Sequence, residues 1–405
     1  MTTKRIGKTA LIGALLCLVL AAPAAAAGCQ KESTFEAWLE GVKKEAALQG
    51  VSARTIAGAL AGVHFDQGIV NKDRAQGVFA QTFLQFSDRM VADYRLKEGA
   101  AKIAKNKPLF DRIEKQYGVP APVIVAFWGL ETDFGANIGN LPTLISLATL
   151  AYDCRRPDVF RPQLIDALKI IDRGDLTAAE MRGPWAGELG QLQFLPAHYF
   201  QYGVDYDGDG RVNLLTSMPD ALASAANMLQ QFGWHRGEPW VQEVRVPAEM
   251  PWQEADLNVQ HSRAEWAKWG VAYPGGKPLP ADATEASLFL PMGLNGPAFL
   301  TYPNFQVYLQ WNSSLVYSAT AAYFATRLAG ATKVGRGNGA TTGLSIAEGR
   351  ELQQILQRHG FDVGKIDGVI GQQTRTAVKA MQIKLGLPAD SYPTMELLAR
   401  MRGGR

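Results

Sequence analysis

The sequence predicts a mostly α chain with a small β-containing insertion and a second, small three-helix domain at its C-terminus. Three observations carry this. From Phe35 to Gln116 apolar residues recur at helical spacing with few prolines. Between Pro239 and Gln310 that rhythm gives way to short alternating runs such as VQEVRV, SLFL and FQVYLQW, separated by prolines and glycines. Beyond a stretch of small residues, Gly335 to Gly343, helical spacing returns.

At the N-terminus Lys4, Arg5 and Lys8 precede the apolar run Ala10 to Ala22, and small residues follow through Ala27 and Gly28. This is the layout of a secretory signal peptide over residues 1–27, so the expected compartment is the periplasm. The run is short for a membrane span, and no later stretch approaches one, so no transmembrane segment is expected in the mature chain. The net charge of +3 is supplied by Lys4, Arg5 and Lys8, because residues 1–28 hold no acid. A near-neutral mature chain argues against a nucleic-acid partner. Cys17 falls in the signal peptide, which leaves Cys29 and Cys154 as the pair for an oxidising compartment. They are expected to form a disulfide. The competing reading is an outer-membrane lipoprotein anchored at Cys29, although Ala26 stands where such sites usually carry leucine.

The run from Phe35 reads as packed helices, and Phe79, Phe83 and Phe86 follow the spacing of a buried stripe rather than of a ligand platform. After Pro120 and Pro122 a helix should start at about Pro122, since a proline in the first turn gives up an N–H that had no partner there. Ile124, Phe127 and Trp128 then share one apolar stripe, and the next place on it is Glu131. Desolvation raises a carboxyl pKa toward the range where it donates a proton at neutral pH, which suits a general acid. An ion pair with an arginine inside a helical core fits the same spacing.

Further on, LPTLISLATLAYDCRR continues the helical domain, and RGPWAGELGQLQFLPAHY brings Gly183, Gly187 and Gly190 together with Gln191, Gln193 and Phe194. Such a loop suits either a cleft wall or a plain connection. Asp205, Asp207 and Asp209 stand at loop positions 1, 3 and 5, with glycine at 6 and Arg211 at 7, as in an EF-hand. Position 12 is Thr216, and the nearest later acid, Asp220, needs a longer loop. A structural calcium and an acidic turn held by its own hydrogen bonds both remain open.

Helical spacing resumes from Leu315 to Leu328. Residues 331–344, including GRGNGATTG, are expected to be a flexible linker. In the terminal domain, 345–405, Ser345 and Glu348 fit a capping box. Leu352, Ile355 and Leu356 form a stripe, and Gly386 closes the helix holding Ala377, Val378 and Met381.

ETDFG, YDCRR, GELGQLQFLPAHY and DYDGDGRVNL in that order strongly resemble the lytic murein transglycosylase B family, from about Cys29 to Leu328. The resemblance implies a lysozyme-like catalytic domain over 28–330 acting on peptidoglycan glycan strands. It implies Glu131 as the single acid/base, Gln193 in the sugar cleft, and Trp311 and Tyr317 as cleft aromatics, and it brings the lengthened calcium-type loop with it. Pro184 replaces a usual serine, Glu188 a frequent alanine and Met228 a frequent aromatic. The run Phe361 to Thr394, with the element Asp367 to Thr374, resembles the peptidoglycan-binding domain of wall hydrolases. A helical bundle for protein contacts is the competing reading of that domain.

Ordinary glycosidases need two carboxyl groups. In a lytic transglycosylase one suffices: Glu131 would protonate the oxygen between MurNAc and GlcNAc, then deprotonate the C6 hydroxyl that attacks C1. The result is a 1,6-anhydro-MurNAc end, with no cofactor required for catalysis. Phe194, Trp311 and Tyr317 are expected to offer stacking faces. Asp133 should point away, so Glu188 is the candidate second carboxylate of the alternative, a lysozyme-type hydrolase. A non-catalytic wall-binding protein is the distant alternative, and a monomer is expected.

Overall fold

Proline and hydroxyl caps set most of the helix starts, and glycines set many of the turns. The structure, a computed structural model, describes residues 34–75, 81–339 and 341–403. The expected signal peptide, Cys29 and Phe79 lie outside the described residues.

Six helices lead in: α1 (Phe35–Leu48), α2 (Ala53–Ala59), α3 (Gln67–Arg74), α4 (Phe83–Met90), α5 (Asp93–Lys105) and α6 (Lys107–Tyr117). Thr34, Ser52, Asp66 and Thr82 cap α1 to α4 with their side chains, satisfying N–H groups that the first turn leaves unpaired. Phe83 is fully buried, as its stripe predicts. Helices α5 and α6 pack against α7 (Ala121–Thr132), whose residues are buried except Pro122 and Glu131. The start agrees with the sequence reading. The single apolar stripe does not: α7 is apolar on nearly every side, and Glu131, in its last turn, is one of its two partly exposed residues.

A short antiparallel pair, β1 (Leu141–Pro142) with β2 (Arg182–Gly183), encloses α8 (Thr143–Tyr152) and α9 (Pro157–Arg173). Helices α10 (Pro196–Tyr202) and α11 (Met218–Gln231) follow. Met228, at a place where the family resemblance suggested an aromatic, is 2% exposed in the main core.

The insertion is a four-stranded antiparallel sheet in the order β3-β6-β5-β4, formed by β3 (Val241–Val244), β4 (His261–Ser262), β5 (Glu285–Phe289) and β6 (Ala298–Thr301). Helix α12 (Arg263–Lys268) places Trp266 in its separate core, with Nε1 donating to the Ala286 carbonyl at 2.8 Å. FQVYLQW, expected as a strand, is helix α13 (Pro303–Trp311). Pro303 starts it, and Phe305 and Tyr308, three apart, are both fully buried. Helix α14 (Leu315–Leu328) packs along α7, and Gly129 leaves room for two rings: a Cβ there would lie 2.9 Å from the rings of Phe134 and Phe324.

Three helices, α15 (Ile346–Arg358), α16 (Gln372–Lys384) and α17 (Met395–Arg402), form the terminal domain around Leu352, Val378 and Leu398. The Ser345/Glu348 capping box is present. Gln353 organises the loop before α16: its amide donates to the Val369 carbonyl and its carbonyl accepts from Gly368 N–H at 2.8 Å.

The segment before this domain departs from the expected flexible linker. Val334 is buried, Gly335 N–H donates to Glu243 at 2.7 Å, Arg336 pairs with Asp88 at 2.7 Å, and the N–H groups of Asn338 and Gly339 reach the Asn295 carbonyl. Small residues here serve close packing: a Cβ on Gly337 would fall 2.3 Å from the Asn295 carbonyl oxygen. The terminal domain is docked as well. Arg375, buried, donates to the Leu290 carbonyl at 2.7 Å with its guanidinium near the rings of Phe289 and Tyr392. Lys379 pairs with Asp256 at 3.1 Å, and Asp390 accepts from Leu294 N–H at 2.9 Å.

Candidate active site

Glu131 lies in the last turn of α7, and the chain beyond it is forced into an unusual path. Asp133, Phe134 and Gly135 all have positive φ, a conformation that costs a non-glycine residue of order 1 kcal/mol or more. Local contacts offset that cost. The Thr132 hydroxyl donates to the Gln191 carbonyl at 2.6 Å and accepts from Gly135 N–H at 2.8 Å, tying the end of α7 to the glycine loop. Asp133 turns its carboxylate to Arg95 at 3.0 Å and to the Tyr94 hydroxyl, away from Glu131 as expected.

Opposite Glu131 stands the junction of α13 and α14. Trp311 ends one helix, and Ser314 caps the next by accepting from Tyr317 N–H. Ser318 pins the turn between them through the carbonyls of Tyr308 and Asn312. Two donors therefore converge on one oxygen: Trp311 Nε1 reaches Glu131 Oε1 at 3.0 Å, and the Tyr317 hydroxyl donates to the same Oε1. Trp311 is held by a stacked contact with Phe127, centroids 4.2 Å apart, and by the edge of Phe194 at 5.6 Å.

Burial pushes the Glu131 carboxyl up to about 7, against the lowering effect of its bonds from Tyr317 and Trp311, and the nearby charge of Glu188 adds to the rise. With Oε1 taken by two donors, Oε2 is the oxygen free to carry the transferred proton. This carboxyl holds a proton near neutral pH and is fixed by rigid donors, which is the equipment of a general acid that then serves as a base.

The structure gathers Glu131, Trp311 and Tyr317 directly. Tyr317, expected as a stacking face, bonds the carboxylate instead, and burial together with Glu131 holds its phenol well above its ordinary pKa. Phe194 is a correction: at 2% exposure it backs Trp311 and presents no face for a sugar. Gln193 has positive φ, and its amide nitrogen donates to the Gly190 carbonyl at 2.9 Å, so its carbonyl oxygen is the group left for a ligand. Thr132, Ser318 and Arg95 were not anticipated, because each acts through a contact distant in sequence.

Asp205, Asp207 and Asp209 place carboxylate oxygens within 4.8 Å of one another. They also accept N–H groups of their own loop, with Asp205 taking those of Gly208 and Gly210. Asp220 does not join them. It is fully buried and accepts from the N–H groups of Tyr206, Asp207 and Asn213, supporting the loop. Arg211 spends its side chain on the Asp175 carbonyl at 2.7 Å. Three converging carboxylates with glycine at the sixth position fit a hard cation, with Asp220 in a supporting place. Cys154 is disulfide-bonded, beside two buried acids: Asp153, paired with Arg74, and Asp73, paired with Arg155 and Arg156. Among the described residues no helix is long and apolar enough to cross a membrane.

The chain is similar to proteins of known structure. The crystal structure of SltB3 from Pseudomonas aeruginosa, solved with NAG-anhNAM-pentapeptide and with NAG-NAM-pentapeptide, is 39% identical, covering 91% of this chain and all of that one at a TM-score of 0.84. The Escherichia coli lytic transglycosylase Slt35, solved in complex with calcium, is 24% identical over 72% of this chain and 92% of its own, at a TM-score of 0.61, and shares the fold. The membrane-bound lytic murein transglycosylase B of Escherichia coli K12 is 31% identical over 157 residues, which are 38% of this chain and 43% of that protein, so the match spans less than half of that relative. A family model for a peptidoglycan binding domain matches residues 347–401. The model described as Transglycosylase SLT domain matches residues 34–326, most of the chain, and the protein therefore belongs to the SLT-domain lytic transglycosylase family.

Proposed function

We propose that the protein cleaves the β-1,4 bond between MurNAc and GlcNAc in peptidoglycan without water, leaving 1,6-anhydro-MurNAc ends, and so serves wall remodelling or turnover. The observation that carries this reading is the proton-holding carboxyl of Glu131, locked by Trp311 and Tyr317 on one oxygen. Protonated Glu131 donates to the leaving oxygen. The resulting carboxylate, stabilised by the same two donors, removes the proton of the muramic C6 hydroxyl, which attacks C1 of its own ring. An internal nucleophile has a high effective concentration, so the site needs no carboxylate to activate water. Glu188 is set on a buried turn, with Oε2 enclosed by protein, a poor place from which to activate water. The hydrolase alternative is tested by the product: reducing ends in place of anhydro ends.

Gln193 lines the sugar cleft with Trp311 in this reading, and Phe194 supports them from behind. A cleft of about 790 Å³ lies between the terminal domain and the Ser313–Tyr317 turn, with Tyr317 in its wall, and the terminal domain, 345–405, holds the wall polymer there. Asp205, Asp207 and Asp209 hold a structural calcium that takes no part in the reaction. Cys29 closes a disulfide on Cys154 in a periplasmic monomer, and a lipid anchor at Cys29 is the alternative that mass measurement of the mature N-terminus separates.

A further inference from the structure

Arg375 is 8% exposed, yet its guanidinium has no counter-ion. Nη2 donates to the Leu290 carbonyl at 2.7 Å, while Nε and Nη1 have no acceptor among the described residues. The acids whose charge reaches it are spent elsewhere. Asp390 accepts from the Gln382 amide and from the N–H groups of Tyr392 and Leu294, and Asp256 pairs with Lys379. A buried cation left without an anion is costly, and burial here works against its charge. The rings of Phe289 and Tyr392, with centroids 5.7 and 6.0 Å from the guanidinium carbon, offset part of that cost. The unused donors call for an acceptor.

Arg375, Phe289 and Tyr392 all line the cleft between the terminal domain and the Ser313–Tyr317 turn. Helix α16 begins on the same wall at Gly371, which has no side chain to cap it. The first-turn N–H groups of Gln372, Gln373 and Thr374 are therefore without an acceptor among the described residues. The helix is 13 residues long, and its dipole favours negative charge at this end. At its first position Gln372 leaves Oε1 without a donor, so the polar groups here are incompletely paired. Lys365, exposed on the rim, forms no ion pair among the described residues. The lining thus sets Arg375 and Lys365 against a single acid, Asp367, whose carboxylate accepts from Val369 N–H.

We propose that this cleft is a carboxylate-binding subsite for the peptide stem of peptidoglycan, with Arg375 and the start of α16 as its donors. Glycan strands that bear stems are neutral, because the lactyl carboxyl of MurNAc is tied up in the amide to the stem. The carboxylates belong to the peptide. The bond to Leu290 fixes the guanidinium before the ligand arrives, which lowers the cost of binding. The opposite wall holds Tyr317, which donates to Glu131, so a stem seated on Arg375 hangs from a sugar near the catalytic carboxyl. The terminal domain reads the peptide while α7 and α14 act on the sugar. The inference rests on peptidoglycan as the polymer in the cleft, and not on which product the reaction leaves.

The test is calorimetric titration of the full chain with a soluble stem pentapeptide, which has no glycosidic bond to cut, and with the same peptide amidated at its carboxylates. The wild type should bind the free pentapeptide, and amidation should weaken binding about tenfold or more, the worth of charge-assisted hydrogen bonds. Arg375→Gln should lose affinity to the same extent and no longer distinguish the two peptides. Lys365→Gln, on the exposed rim and clear of the Leu290 bond, should weaken the free peptide about two- to fivefold and leave the amidated one unchanged. Should Arg375→Gln lose cooperative melting, the amidation contrast in the wild type and Lys365→Gln decide the matter without it. Equal binding of both peptides by the wild type, no binding of the free peptide at millimolar concentration, or variants that discriminate as the wild type does would overturn the proposal. Reducing ends released by the wild type would instead overturn the transglycosylase reading, and that readout is independent of peptide binding.

Discussion

The Tyr317 hydroxyl donates to Oε1 of Glu131 across 186 residues of sequence, joining the first turn of α14 to the last turn of α7. Trp311 adds a second donor to the same oxygen at 3.0 Å. This pair stabilises the carboxylate that forms once the proton has been given away, and opposes the burial that holds the proton on. Tyr317→Phe should therefore lower turnover by about 10- to 100-fold, the worth of one hydrogen bond to a charged group, and move the alkaline limb of the pH–rate profile upward. A Tyr317→Phe profile displaced downward would show that the hydroxyl does not serve the charged form.

Glu131→Gln removes the proton donor and should cost about two to four orders of magnitude in turnover. It should also stabilise the fold at neutral pH. The folded carboxyl binds its proton up to about pH 7, from an ordinary value of 4.5, so the native state holds more protons than the unfolded one between those values and stability falls as pH rises through them. Relief of that penalty is worth up to about 3 kcal/mol above pH 7 and vanishes below the unfolded value. Thermal melting of both proteins at acid and neutral pH checks it; a gain that is the same at every pH would contradict the assignment.

The acidic loop should respond to calcium. Millimolar calcium added to chelator-treated protein should raise the melting temperature by linkage, and Asp207→Ala should abolish the rise. A melting temperature indifferent to calcium in the wild type would leave Asp205, Asp207 and Asp209 as a turn held by its own N–H groups.

Arg375 fastens the terminal domain by donating to the Leu290 carbonyl from a buried position. Arg375→Ala leaves that carbonyl unpaired and should lower stability by about 2–4 kcal/mol, while exposing residues 331–344 to protease. Melting like the wild type, with rapid cleavage of the segment in both proteins, would mean that the domain swings on a loose tether.

Much of the helical layout was legible because it depends on local signals: Pro122, the Ser345/Glu348 box and the stripe through Leu352 each act within a few residues. Glu131 stood out for a similar reason, an acid in line with the apolar residues Ile124, Phe127 and Trp128. What the sequence concealed depends on distant contacts. FQVYLQW alternates too briefly to separate strand from helix, and Pro303 decides it. GRGNGATTG reads as loose because small residues usually are, whereas here they admit the backbone of Asn295 and Gly296. Phe194 and Tyr317 are both aromatics beside a cleft, and only the fold assigns one to packing and the other to the carboxylate. Asp220 looked like a ligand by charge and position, yet its oxygens are taken by backbone N–H groups.

Mass spectrometry of the muropeptides released by purified wild-type protein tests the single-carboxylate mechanism most directly. Attack by the muramic C6 hydroxyl predicts 1,6-anhydro ends as the main product, each lighter by one water than the hydrolytic fragment. Reducing-end fragments as the main product, with activity that collapses in Glu188→Gln at every pH, would contradict it and assign Glu188 to the activation of water.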